Sequence, residues 1–290
     1  VTTPRRSQAG PAPIAQERDG PTVGELQYDS PADPAAARHH WLVELLACKP
    51  GDWVVDLGCG DGMTLGLLPE QVVPIVIDLQ AGELRRAAGT YPGRLGLVCA
   101  DLTMPLPLVS SSVDRALCHN VLETLPDPGR LLEEAHRVLR PGGRLVLSHP
   151  DYDTMVFPSP DREHLELTRR LVHAYYDTQQ DWMTVVDGTI GRRLPAIAHR
   201  SPLTMEEVHA ATVVSRDWKP GMLGYEFAHH VVAVLGRAGR SPTGEPIAGE
   251  VLEGWLAGME RLVQGDDFLW SINDYAVVLQ KPAVTTGSTR

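Results

Sequence analysis

Short apolar runs alternate with turn residues and with segments of helical periodicity over residues 53–149, and this order predicts strands and helices in strict alternation. The first run, Val54-Val55-Asp56-Leu57, breaks into Gly58-Cys59-Gly60-Asp61-Gly62, where glycines in alternation predict a tight turn with backbone open to a ligand. Residues 63–68 then carry apolar side chains at helical spacing. Further strands are predicted at 72–78, 95–101, 113–120 and 143–149, with helices at 81–88 and 128–139. The last of these places Leu131, Leu132, Ala135, Val138 and Leu139 on one face and stops at Pro141-Gly142-Gly143.

Strands separated by helix-length segments imply βαβ crossovers, hence a doubly wound α/β fold with a parallel sheet. In such sheets ligands bind beyond the carboxyl ends of the strands. That rule lines up Asp56, Asp78, Asp101, His119 and His149 along one rim. Residues 1–24, rich in Pro and Gly and poor in large apolar side chains, read as a flexible tail. A helix over 35–48 leads into the core domain, residues 25–150. The second half is less regular: helices at 162–176, 189–199, 225–237 and 247–263, a sixth strand within 207–217 and a last one at 275–280. Residues 151–273 are expected to roof the site as a helical cap that also supplies the sixth strand, and 274–290 to form the last strand and a polar tail.

Charge narrows the partners. Asp and Glu number 37 against 26 Lys and Arg, a net charge of -11, which disfavours a phosphate-tracking surface for nucleic acid. Cys48, Cys59, Cys99 and Cys118 are widely spaced with no C-x-x-C pair, so reduced thiols and a cytoplasmic location are expected rather than disulfides or a metal site. No apolar segment is long enough to span a bilayer.

A P-loop is excluded because no Gly-Lys-Ser/Thr follows the glycine turn, and Gly58-x-Gly60-x-Gly62 departs from the dinucleotide G-x-G-x-x-G. Asp78 lies where an acid can hydrogen-bond ribose hydroxyls. Taken with CADL at 99–102, CHNVLETLPDP at 118–128 and HRVLRPGGRLVLS at 136–148, the chain resembles the class I S-adenosylmethionine-dependent methyltransferases, in particular their small-molecule branch. The resemblance covers residues 35–150 and implies a Rossmann-like, seven-stranded, mostly parallel sheet with helical cap insertions. It implies S-adenosyl-L-methionine as cofactor, leaving S-adenosyl-L-homocysteine as product. Asp56, Gly58 and Gly60 would shape the methionine and ribose site, Asp78 and the adjacent Leu79 the ribose end, and Asp101 and Leu102 the adenine end. His119 and Asn120 would offer backbone carbonyls to the methionine amine.

Methyl transfer is an in-line displacement that needs alignment, exclusion of water and, for some acceptors, a base. His149 is the expected base and His119 the second choice, each weighed against a structural histidine. Tyr28 is a candidate for a cation–π contact with the sulfonium and for the acceptor pocket, against an ordinary packing role. Tyr152, Tyr175, Tyr176, Trp182, Arg193, Trp270 and Asn273 are the other acceptor-pocket candidates, with Asp151 nearby in the roof, and Arg38 is a candidate partner of the cofactor carboxylate. The expected activity is methyl transfer to O, N or nucleophilic C of a small organic molecule, a secondary metabolite of indole-like or amino-acid-derived type, with no metal, nucleic acid or membrane involved. The rival reading is a non-catalytic module that senses S-adenosylmethionine. Monomer and homodimer stay equally open.

Overall fold

The computed structural model describes residues 22–28, 34–178, 183, 185–265 and 267–283. Strand β2 (Trp53–Leu57) lies inside the sheet, parallel to β3 (Val73–Asp78) on one side and to β5 (Val113–His119) on the other. Its β-branched Val54 and Val55 are buried on opposite faces, as a strand covered on both sides requires. Chain order runs β2, α2 (Ala81–Thr90) after β3, then β4 (Gly96–Cys99) at one edge before the chain returns to β5. Strand order therefore reverses between β2 and β5, which opens a crevice at their carboxyl ends.

Helix α3 (Pro128–Val138) starts where Asp127 caps it, the carboxylate accepting the Gly129 N–H at 3.0 Å, with Pro128 at the first helical position. Its stripe of Leu131, Leu132, Ala135 and Val138 is buried against the sheet. The chain passes straight into β6 (Leu139–Val156). Helix α1 (Pro34–Leu46) covers the opposite face, burying Trp41, Leu42 and Leu46 against Val146, Ala276 and Val278. Strands β7 (Thr204–Ser215) and β8 (Trp270–Gln280) complete the expected seven, β8 running antiparallel to both β6 and β7.

An eighth strand is also present. Thr22–Tyr28 forms β1, parallel to β7 with Tyr28 opposite Val213, and gives the order β1-β7-β8-β6-β5-β2-β3-β4. The β1 segment thus enters the sheet in a stretch whose first residues read as tail.

Helices α4 (Arg162–Tyr176), α6 (Leu223–Ala238) and α7 (Gly249–Gln264) pack together as the cap. Their shared core contains Phe157, Trp255, Met259 and Phe268, and extends onto Trp270, Ile272 and Val213 of the strands. Several predicted boundaries move. Residues 151–156 continue β6 instead of joining the roof, and β8 begins at Trp270, five residues before the predicted start. The predicted helix over 189–199 divides into a 3-10 turn (Ile190–Arg193) and the short α5 (Leu194–His199), because Gly191 lies against β6 and Pro195 starts a new helix. Residues 63–67 form only a 3-10 turn. No helix among the described residues is long and apolar enough to cross a membrane.

Candidate active site

The crevice at the β2/β5 reversal is a cavity of about 570 Å³. Its floor is the glycine turn. Gly58 takes φ +81°, and a Cβ there would come within 2.4 Å of Val121 Cγ2, so only glycine lets the turn close against the β5 loop. The Gly58 and Cys59 N–H groups donate to the Ile77 carbonyl at 2.8 and 3.2 Å, which ties the turn to the end of β3. Asp78, the last residue of β3, accepts from the Gly60 N–H at 3.0 Å and the Gln80 N–H at 2.8 Å. Its carboxylate is thereby fixed in orientation at the cavity wall.

Gly58, Gly60, Asp78, Leu79, Asp101, Leu102 and Asn120 all line this cavity, seven of the residues expected there. Asp101 accepts from the Thr103 backbone and hydroxyl at 2.8 and 2.7 Å. Asn120 adopts φ +55°, a left-handed conformation that asparagine tolerates better than most residues, and its N–H donates to the Ser148 carbonyl at 3.0 Å. Other wall residues escaped sequence reasoning: Gln80, Thr103, Met104, Val121, Thr124, Leu125 and Arg130. They sit one to ten residues after the expected positions, all but Arg130, on α3, in loops and turns without periodicity. Proximity to the strand ends was the available signal.

Asp56 does not line the cavity; it is buried beneath the turn. Burial, followed by the nearby Asp78 charge, pushes its carboxyl up to about 7. The Cys59 thiol is driven upward by burial and then by the same two carboxylates, which makes it an inert thiol.

The two candidate bases separate sharply. His149 is fully buried within β6 instead of standing free on the rim. Its Nδ1–H donates to the Pro150 carbonyl at 2.5 Å and its Nε2–H to the Glu123 carboxylate, so both ring nitrogens are occupied. Burial opposes the imidazolium, yet the Glu123 charge and hydrogen bond outweigh it and the affinity for the proton is raised. His149 is therefore a charged anchor for the 122–124 turn, with no nitrogen facing a substrate. His119 differs. Burial first, then the charges of His39, Arg38 and His149, hold its imidazole neutral well below the ordinary range, and its Nδ1 has no hydrogen-bond partner.

Tyr152 joins the cap to the cavity. Its hydroxyl donates to Asn120 Oδ1 at 3.0 Å, while its ring stacks on Tyr176 and meets Phe227. Burial raises its phenol well above the ordinary value. Tyr175 packs edge-on against Phe227 and His230, its phenol pushed up to about 12 by burial and then Glu123. Tyr176 and Trp270 are buried in the cap core, against an acceptor role for either. Arg193 is committed to an ion pair with Asp187 at a separate cavity of about 320 Å³. Asn273 accepts from the Thr212 hydroxyl at 2.8 Å. Asp151 is fully buried and pairs with Arg192. Arg38 pairs with the buried Asp274 of β8 and does not line the 570 Å³ cavity. Strand order places the Tyr28 backbone at the outer sheet edge, five strands from β2, far from where a sulfonium contact requires it. Trp182 lies outside the described residues. No three His, Cys, Asp or Glu among the described residues converge as a metal site.

Residues 55–147, the segment that builds this cavity, match a family model described as a methyltransferase domain. This segment is a methyltransferase domain. The chain is 34% identical over 200 residues to an uncharacterized 37.1 kDa transposon protein of Streptomyces fradiae, covering 67% of this chain and 56% of that one. It is 32% identical over 149 residues to a malonyl-[acyl-carrier protein] O-methyltransferase of a Marinomonas species, covering 48% and 55%. The chain thus spans about half the length of the curated relatives it matches. Among solved structures, a methyltransferase-like protein of Bacillus halodurans superposes with a TM-score of 0.56 at 15% identity, over 85% of this chain and 100% of that one, a likeness of fold alone.

Proposed function

We propose that the protein transfers a methyl group from S-adenosylmethionine to a small organic acceptor, at oxygen, nitrogen or nucleophilic carbon, in the biosynthesis of a secondary metabolite in the cytoplasm. The observation that carries this reading is the 570 Å³ cavity, where Gly58 and Gly60 leave the floor bare and Asp78 and Asp101 both stand in the wall. The donor set fits the cofactor. Asp78, already oriented by two backbone N–H groups, would take the ribose hydroxyls; Asp101 would accept from the adenine amine; Leu79, Leu102 and Met104 supply apolar wall for a planar ring. When bound, the cofactor supplies an electrophilic methyl on a cationic sulfur.

The chain's own task is alignment, exclusion of water and acceptance of a proton. His119 is the proton acceptor in this reading, because it is neutral and keeps an unpartnered Nδ1, whereas both nitrogens of His149 are spent. The Tyr152 ring and the half-buried Tyr175 favour an aromatic acceptor of indole-like or amino-acid-derived type.

Calorimetry with S-adenosylhomocysteine tests the cofactor site. Asp78→Ala is expected to weaken binding about tenfold or more, since it removes charge-assisted hydrogen bonds; unchanged affinity rejects the assignment. Mass spectrometry of a small-molecule extract of the source organism, incubated with methyl-labelled cofactor, tests the transfer. Cofactor binding with no labelled product would support a sensor module instead.

A further inference from the structure

Arg38, on α1, is mostly buried, with 13% of its side chain exposed, and reaches Asp274 in the amino-terminal half of β8. Its Nε–H donates to Asp274 Oδ2. Neither Nη group makes a hydrogen bond among the described residues. A guanidinium with one edge anchored and the other unspent is a fork shaped for a carboxylate. Asp274 is fully buried, and its grip on Nε sets the direction in which that free edge points. The neighbours agree with an anionic guest. Arg38 is close enough to act electrostatically on both His119 and Tyr152, and the Tyr152 hydroxyl is bonded to Asn120 at the cavity wall. Neither Arg38 nor Asp274 lines the cofactor cavity, whose wall comes from the turns after β2, β3, β4 and β5.

We infer that Arg38 binds the acceptor through a carboxylate, or an oxygen of equivalent charge, and that Asp274 is its positioning residue. The inference rests on the methyltransferase reading and names the chemical class of its acceptor, a small organic anion.

The test uses the whole protein and the double variant Arg38→Gln/Asp274→Asn, which replaces the buried ion pair with a neutral hydrogen-bonded one and so avoids stranding a charge. An extract of the source organism is split on an anion exchanger at pH 7.5, and each fraction is incubated with methyl-labelled cofactor. Methyl-accepting activity is expected in the retained fraction, and its presence only in the flow-through overturns the inference. With the retained fraction as substrate, the double variant is expected to raise KM about tenfold or more with a smaller change in kcat, while its affinity for S-adenosylhomocysteine stays within about twofold of wild type. A tenfold loss of S-adenosylhomocysteine affinity assigns Arg38 to the cofactor carboxylate and also overturns the inference. Failure of the wild-type protein to bind S-adenosylhomocysteine is the separate result that removes the methyltransferase reading itself.

Discussion

At the scale of single residues, the site depends on what is missing as much as on what is present. Gly58 combines φ +81° with a Val121 methyl at 2.4 Å from the place a Cβ would occupy. Gly58→Ala is therefore expected to cost about 1–3 kcal/mol of stability through backbone strain and overpacking, and to lower S-adenosylhomocysteine affinity, as read by chemical denaturation and calorimetry. Asp56 makes a prediction of opposite character. Its carboxyl is raised from 3.8 to about 7, so between those values the folded chain keeps a proton that the unfolded chain releases. Stability contributed at this position falls as pH rises from about 4 to about 7 and is level above that. Asp56→Asn, neutral throughout, should gain stability relative to wild type across that window and hold the gain at pH 8; parallel denaturation curves at pH 4 and pH 8 would contradict it. His149 has the same sign. Its raised affinity for the proton stabilises the folded state fully below the unfolded value of 6.5, and that contribution disappears as pH climbs through the higher folded value.

At the scale of elements, α3 shows how much a sequence can say. Asp127 and Pro128 announce its start, the apolar stripe names its buried face, and Pro141-Gly142-Gly143 ends the reading. Asp127→Ala removes the cap and is expected to lower stability by about 1 kcal/mol, read as a shift of the denaturation midpoint without change of slope. The strands of the cofactor half are legible for a similar reason, being mostly apolar and bounded by turn residues. Legibility failed where tertiary contacts outweigh local pattern. Residues 151–156, DYDTMV, carry charge and no alternation, yet pairing with β8 holds them in β6. The burial of His149 could not be read from its place at the end of an apolar run, because its partner Glu123 is 26 residues away. Arg38 and Asp274 are 236 residues apart, and only the fold brings them together.

At the scale of the whole molecule, the sheet is wider than the family resemblance required. β1 covers one side of β7, so a chain starting at residue 29 would leave the β7 backbone as an open edge. Such a truncation is expected to lower the melting temperature and increase self-association at high concentration, measured by calorimetry and size-exclusion chromatography; an unchanged elution profile and melting point would show that β1 contributes nothing to either. The long strands carry a further consequence. Phe157, Trp270, Ile272 and Val213 belong to the core of the cap, yet the last three are strand residues of the same sheet that floors the site. The cap is thus cantilevered from the sheet, not hinged on a loop, and cannot be exchanged as three helices. A chimaera designed to change the acceptor would have to carry the outer ends of β6, β7 and β8 with α4, α6 and α7, cutting the chain inside strands where a junction would ordinarily be avoided.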